Sequence, residues 1–369
     1  MASDKLRVGL IGLGKMGISH QAILHAHPNV DLVGVCDTTQ YVLDILKKYT
    51  GVAVFSDYRR MIDEAKPDAV VVATPSRFHA EMVRYALERD LHVFCEKPFC
   101  LDVAQGQALV ELAQARKLVN QVGYHYRYVE AFREARRLLE AGVLGDVHHV
   151  RAEAYGPVVL RPSGSTWRSS KVEGGGCLYD YASHALDLLE MLLGAPTAIS
   201  GAVANKIFSS DVDDEIYATL HFANGTSGQL AANWSDDSHR KMSTKVTIWG
   251  KNGRMAIDRQ ECQLYLRAAV SGKVELPMGW TVRYTTDLIE PVWYYLRGEE
   301  YSKQIDAFVK NALGQKEWVG STFATALMTD RVIDAIVASA EASPVTVGAE
   351  KAEPAEERGL FGLRKKTRR

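Results

Sequence analysis

From Leu6 to Tyr124 the chain alternates short β-branched runs with longer helical patterns, and this alternation narrows the possible folds more than any other feature. The runs are LRVGLIG, VDLVGVCD, VAVFS, DAVVVATP, LHVFCEKP and LVNQVGY. Most of them are apolar throughout rather than at every second residue, so both faces of the sheet they form must be covered. Strands of this kind, separated by helices, predict a parallel sheet with helices on both sides.

The first run ends in GLIGLGKMG, which sets Gly12, Gly14 and Gly17 in the spacing G-x-G-x-x-G. Alone the pattern is weak. Here it follows a strand and opens a helix, and Asp37 closes the second strand. That context predicts a doubly wound, Rossmann-type dinucleotide site. Gly12 permits the tight turn, Gly14 lets the backbone approach a pyrophosphate, and Gly17 lets helix and strand pack closely. Leu13, Lys15 and Met16 share this turn, at a helix N-terminus that attracts an anion. Asp37 is placed to accept hydrogen bonds from a ribose diol. Thr38 and Thr39 follow it, with no Arg or Lys to neutralise a 2′-phosphate, so NAD is expected rather than NADP. Thr74, Pro75 and His79, in ATPSRFH after the fourth strand, fall at the carboxyl edge of the sheet. Ligands bind there in open α/β folds, and these residues are expected beside the nicotinamide half of the cofactor.

A length of 369 residues exceeds a single core and suggests two domains. The first is expected over 1–125. After Tyr126 the texture changes to strands of alternating polarity, with hairpin signals at Asn224–Gly225 and Asn252–Gly253. An α+β domain with a large, mostly antiparallel sheet is therefore expected over 126–348. Its polar, aromatic outer face would suit subunit contacts. Residues 349–369 run from an acidic block to a basic one. They read as a disordered, solubilising tail, with docking on an anionic surface or partner as the alternative.

A net charge of −1 argues against a chain-wide nucleic-acid or membrane role, and no window approaches a membrane span. The start, MASDKLRVGLIG, carries no apolar leader, so a cytoplasmic protein is expected. Cys36, Cys95, Cys100, Cys177 and Cys262 are scattered and read as reduced thiols. No Cys/His group, His20, His25 and His27 included, has a zinc spacing, so no metal is expected.

The stretch GGGCLYDYASHALDLLEMLLG, from Gly174, combines two patterns. Leu178, Ala182, Ala185, Leu186, Leu189 and Leu193 form a buried helical stripe. Asp180, His184 and Asp187 fall at i, i+4 and i+7, which predicts that all three share one face. A polar stripe on so apolar a helix needs a reason, and a substrate-facing site supplies one.

With CEKPF the sequence reaches a family. Glu96–Lys97–Pro98 at the end of the fifth strand, after the Gly-rich turn and before the GGG…D…H helix, resembles the Gfo/Idh/MocA oxidoreductases. The resemblance spans Leu6 to Val347. It implies a two-domain NAD(P) enzyme acting on a sugar, cyclitol or sugar nucleotide, as a homodimer or homotetramer. By the same resemblance Lys97 is the catalytic lysine, Asp180 and His184 are the substrate-side pair, and Glu96 lies near the nicotinamide ribose. Tyr126–Arg127 in GYHYRY match an aromatic–Arg pair of the family, with His125 where many relatives carry Asn. Trp167–Arg168 in STWRSSK stand where family members touch cofactor or substrate.

The chemistry of these residue types agrees. Oxidising a secondary alcohol requires removal of its hydroxyl proton, for which a histidine is the natural base. A lysine beside the same oxygen stabilises the developing alkoxide. Asp180 can orient the imidazole or bind a neighbouring hydroxyl, Asp187 is expected to support His184, and Tyr155 can stack on a sugar ring. Lys97–Pro98 is a candidate cis peptide. Two other functions fit the same motifs: a redox-neutral elimination of a glycosidic substituent with NAD retained, and a non-catalytic NAD- or sugar-sensing protein.

Overall fold

The computed structural model describes residues 5–160 and 166–342; the expected tail at 349–369 lies outside them. Six strands, β1 (Leu6–Ile11), β2 (Val30–Cys36), β3 (Val54–Phe55), β4 (Ala69–Val72), β5 (His92–Cys95) and β6 (Asn120–Val122), form one sheet. All pairs are parallel and the order is β3-β2-β1-β4-β5-β6. Connecting these strands are helices α1 (Lys15–Ala26), α2 (Gln40–Thr50), α3 (Tyr58–Ala65), α4 (His79–Leu87) and α5 (Val103–Ala115). Strand order reverses between β1 and β4, which opens the crevice where such sheets bind ligands.

A second sheet contains β7 (Val147–Tyr155), β8 (Ala198–Asn205), β9 (Glu215–His221), β10 (Ser227–Asn233), β11 (Ser243–Gly250), β12 (Gly253–Ile257), β13 (Glu261–Leu266) and β14 (Gly279–Tyr284). Its order is β14-β13-β12-β11-β7-β10-β9-β8, antiparallel except where β7 meets β10. Both Asn-Gly hairpins form where the sequence placed them, as β9–β10 and β11–β12. Along β7, Val150, Ala152 and Ala154 enter the core, so Arg151, Glu153 and Tyr155 face the other way. Packed on the core face are α6 (Glu130–Glu140) and α7 (Ser183–Leu193), whose Leu186 and Leu189 join that core. A short α8 (Thr285–Leu288) follows the last strand.

Two further helices, α9 (Glu299–Ala312) and α10 (Phe323–Glu341), come last in chain order yet return to the first sheet. Ile305, Phe308 and Val309 join the core on one side of that sheet, and Phe323, Ala326 and Leu327 the core on the other. Phe323 stacks on Phe99 at 4.3 Å between ring centres. Burying each phenylalanine contributes roughly 1.5–3 kcal/mol. The far end of α10, through Val332, Ile333 and Ile336, belongs to the core of the second sheet, so one helix closes both.

Helix starts differ in a way that bears on function. Asp57, Asp102 and Thr322 cap α3, α5 and α10 with their side chains. Helix α1 begins at Gly14 with no side-chain cap and no acid in its first turn. Its leading N–H groups therefore lack an acceptor within the protein's own helix.

Candidate active site

The turn from β1 into α1 is built by close approach. Gly12 adopts φ 96°, and a Cβ there would lie 2.6 Å from the Ala73 carbonyl oxygen at the end of β4. A Cβ on Gly17 would lie 1.9 Å from the Gly12 carbonyl oxygen, so no larger residue fits. Above Gly14 there is open space, and Gly14 and Lys15 are exposed beside half-buried Met16. The uncapped amides of Lys15, Met16 and Gly17 thus face a cradle free of side chains, which fits a pyrophosphate. Asp37 accepts from the Leu13 amide at 2.6 Å and the Thr39 amide at 2.8 Å, and stays partly accessible. Thr38, Thr39 and Gln40 bring no positive charge near it.

At the carboxyl end of β4, Pro75 is exposed and Thr74 half-buried, at the same edge as the glycine turn. His79 departs from the sequence expectation. It is enclosed, with Nδ1 2.8 Å from the Pro98 carbonyl and Nε2 3.0 Å from the Thr74 carbonyl. Both ring nitrogens lie against backbone carbonyls, and the one N–H of a neutral ring can donate to either, so His79 packs between the two strand-end loops. Burial holds its pKa below the usual value.

At the end of β5, Lys97–Pro98 is cis, as expected. Lys97 Nζ donates to Asp180 Oδ1 at 2.9 Å and to the Asp180 carbonyl at 3.1 Å. Arg168 Nε donates to Asp180 Oδ2 at 2.8 Å, while its guanidinium lies 4.7 Å from the centre of the Trp167 ring. Burial alone would raise the Asp180 pKa, but Lys97 and Arg168 outweigh it and hold the carboxylate ionised. The glycine run permits this geometry, because a Cβ on Gly175 would lie 2.3 Å from the Arg168 carbonyl oxygen. Asp213, from the loop before β9, accepts from the Leu178 amide at 2.7 Å and anchors the following turn.

That turn, Leu178–Ala182, is a wide π-type turn leading into α7. It corrects the expectation of one regular polar face. Asp180 turns to Lys97, and His184 lies within reach of the Lys97 charge. Asp187 goes elsewhere: Arg127 Nε donates to Asp187 Oδ2 at 2.8 Å, and Ser321 Oγ donates to Oδ1 at 3.3 Å. No hydrogen bond joins Asp187 to His184 among the described residues. Arg127 also donates to the Gly320 carbonyl at 2.8 Å and pairs with Glu190. Each nitrogen of its guanidinium makes at least one hydrogen bond and the residue is 3% exposed, so Arg127 is enclosed as a structural cation. Tyr155 is likewise not gathered into the site; its hydroxyl donates to Glu153 at 3.3 Å and its ring lies by His239.

His184 is 4% exposed, with Nδ1 buried and unpartnered. Burial, then the charges of Lys97 and Arg259, hold its pKa well below 6.5, so it is neutral near pH 7. Around it stand Tyr126 at 5.0 Å, His125 at 5.1 Å and Tyr124 at 5.8 Å between ring centres. Glu96, adjacent to Lys97, pairs with His20 of α1 at 2.6 Å. Sequence reasoning missed His20; its one signal was its place three residues after Gly17, on the face of α1 that must meet the sheet. It also missed Tyr301 and Arg259, which sit far along the chain in no motif.

Comparison with known proteins agrees with this fold. A family model described as "Oxidoreductase family, NAD-binding Rossmann fold" matches residues 6–124, and one described as "GFO/IDH/MocA C-terminal domain" matches residues 132–256. D-glucoside 3-dehydrogenase of Escherichia coli K12 is 30% identical over 61% of this chain and 69% of its own length. A 2,7-anhydro-N-acetylneuraminate hydratase of the same organism is 27% identical over 71% and 70%. The structure of a levoglucosan dehydrogenase in complex with NADH and levoglucosan superimposes with a TM-score of 0.80 at 26% identity, covering 91% of this chain and 97% of that one.

Proposed function

This chain belongs to the GFO/IDH/MocA family of NAD-binding oxidoreductases, and from that premise we propose that it oxidises a secondary alcohol, or reduces the ketone, of a sugar, cyclitol or sugar nucleotide. The cofactor is NAD. The amides of Lys15, Met16 and Gly17 would hold its pyrophosphate, Asp37 its adenosine ribose, and Glu96, Thr74 and Pro75 the neighbourhood of its nicotinamide. When bound, NAD supplies the hydride acceptor.

The observation that carries the reading is Lys97 Nζ held 2.9 Å from Asp180, one turn before a buried neutral His184, at the open end of the nucleotide sheet. His184 accepts the hydroxyl proton. Lys97, oriented by Asp180, donates a hydrogen bond to the oxygen as charge develops on it. Arg168 fixes the second oxygen of Asp180 and closes the cluster from its loop. Trp167 and His125 line the substrate side.

A panel of sugars, inositols and UDP-sugars, scored by the absorbance of reduced nicotinamide, tests the proposal. At least one member is expected to change the redox state of NAD, and a panel that never does overturns the reading. The relative named a hydratase supports a second, redox-neutral reading, in which the same groups serve an elimination without net change in the cofactor. Cleavage of a nitrophenyl glycoside with no cofactor consumed would favour it; absence of cleavage would remove it. No observation favours the sensing reading.

A further inference from the structure

The substrate side of the site holds a second imidazole. His125 begins a single helical turn, His125–Tyr128, directly after β6. Its ring stacks on Tyr301 of α9 at 4.4 Å and 19°, and Tyr301 Oη lies 3.2 Å from His125 Nε2. That hydroxyl has no other hydrogen-bond partner among the described residues. His125 Nδ1 bonds to no described protein group and is absent from the enclosed unpartnered atoms, and the His125 ring lies 5.1 Å from that of His184.

We propose that Tyr301 is a positioning residue: its hydroxyl donates to His125 Nε2 and leaves the ring proton of His125 on Nδ1, facing the substrate. The site then presents one donor imidazole, His125, beside one acceptor imidazole, His184. A phenol is a stronger acid than a neutral imidazole N–H, and an imidazole nitrogen is the better base, so the proton stays on oxygen and points to nitrogen. Burial, with Glu300, Tyr126 and Glu96 beside it, outweighs the opposing Arg297 charge and leaves the Tyr301 hydroxyl harder to ionise than usual. Burial, then His184, Arg259, Lys97 and Arg297, hold the His125 ring neutral. A single ring proton with one nitrogen already accepting has one place to go.

The consequence is a substrate requirement that deepens the proposed function and rests on it. While His184 takes the hydroxyl proton, His125 donates to a second oxygen on the adjoining carbon. The substrate class is therefore one with vicinal oxygens, a diol or a hydroxyl beside a ring oxygen, and an isolated secondary alcohol would leave the His125 donor unpaired.

Long-range ¹H–¹⁵N spectra of ¹⁵N-histidine-labelled protein in its NADH complex, with His125→Asn to assign the signal, test this directly. At pH 7 His125 is expected neutral with its proton on Nδ1, and Tyr301→Phe is expected to abolish that preference. A proton on Nε2, an imidazolium, or a tautomer indifferent to Tyr301→Phe would overturn the proposal. Kinetics supply a second readout, on the panel member turned over fastest. His125→Ala and Tyr301→Phe are expected to raise KM about three- to tenfold, the worth of one neutral hydrogen bond, with the acid limb of the pH profile unmoved. His125→Asn, whose amide also donates, is expected to restore KM. An acid limb that disappears with His125 would make it the base and end the proposal. A panel with no turnover would defeat the preceding reading and the substrate requirement with it, while the spectra decide the role of Tyr301 without catalysis.

Discussion

Two ion-pair clusters lie a short distance apart on the same helical segment, built from the same chemistry and finished differently. At the cleft, Asp180 joins Lys97 and Arg168, whose side chains are 13% and 42% exposed. Behind it, Asp187 and Glu190 enclose Arg127, whose side chain is 4% exposed. In the rear cluster the terminal donors are spent on carboxylates and the Gly320 carbonyl. In the front cluster, among the described residues, one N–H of Lys97's three has no partner, and Arg168 engages Asp180 through Nε alone. Pairing a buried charge is common to both. Leaving the cations partly exposed, as Lys97 and Arg168 are and Arg127 is not, is what distinguishes a site capable of chemistry from one that only holds the fold.

The largest expected effect separates the clusters outright. Lys97→Ala or His184→Ala should lower kcat by roughly a thousandfold with NAD binding nearly unchanged, and Lys97→Ala should cost less stability than losing Arg127 because Arg168 still pairs with Asp180. Arg127→Ala should do the reverse, destabilising the protein by about 3–5 kcal/mol because it strands two carboxylates, while the folded fraction keeps its kcat. Calorimetry and steady-state kinetics on the same preparations would break the comparison if Arg127→Ala abolished turnover in fully folded protein.

A smaller effect is expected at the exposed edge of the front cluster. Arg168→Ala removes one charge-assisted hydrogen bond and should reduce kcat/KM about tenfold, with stability unaffected. A loss as large as that of Lys97→Ala would place Arg168 on the reacting oxygen itself.

The smallest effect is a pH shift. His184 serves as base only when neutral, and its pKa lies well below 6.5. The rate of alcohol oxidation should therefore stay level as pH falls through 6.5 and decline only lower. Arg259→Met, which removes one of the charges that depress it, should move that decline upward by a fraction of a unit. A decline centred at or above 6.5 in the unsubstituted enzyme would contradict the burial of His184.

What was legible in the sequence followed from local periodicity. Continuous apolar runs marked β1 to β6, two Asn-Gly pairs marked their hairpins, and the glycine spacing marked a turn whose Cβ clearances leave no substitute at Gly17. Lys97, Asp180 and His184 were legible because a motif carried them. The rear cluster was not. Helical spacing put Asp187 beside His184, but its partner Arg127 lies sixty residues earlier, and nothing local reports which of two partners a buried carboxylate will meet. The wide turn at Leu178–Ala182 was invisible for the same reason, since Asp213 anchors it from another loop. His125 was legible as a residue, but its orientation depends on Tyr301, far along the chain.

The late return of α9 and α10 has a consequence for how the molecule is made. Phe94 and Phe99 leave the ribosome long before Phe308 and Phe323, the rings that cover them. The nucleotide-binding half is thus translated first but sealed last, and a nascent chain stalled before Glu299 would display two uncovered aromatic surfaces to the chaperones of the cell.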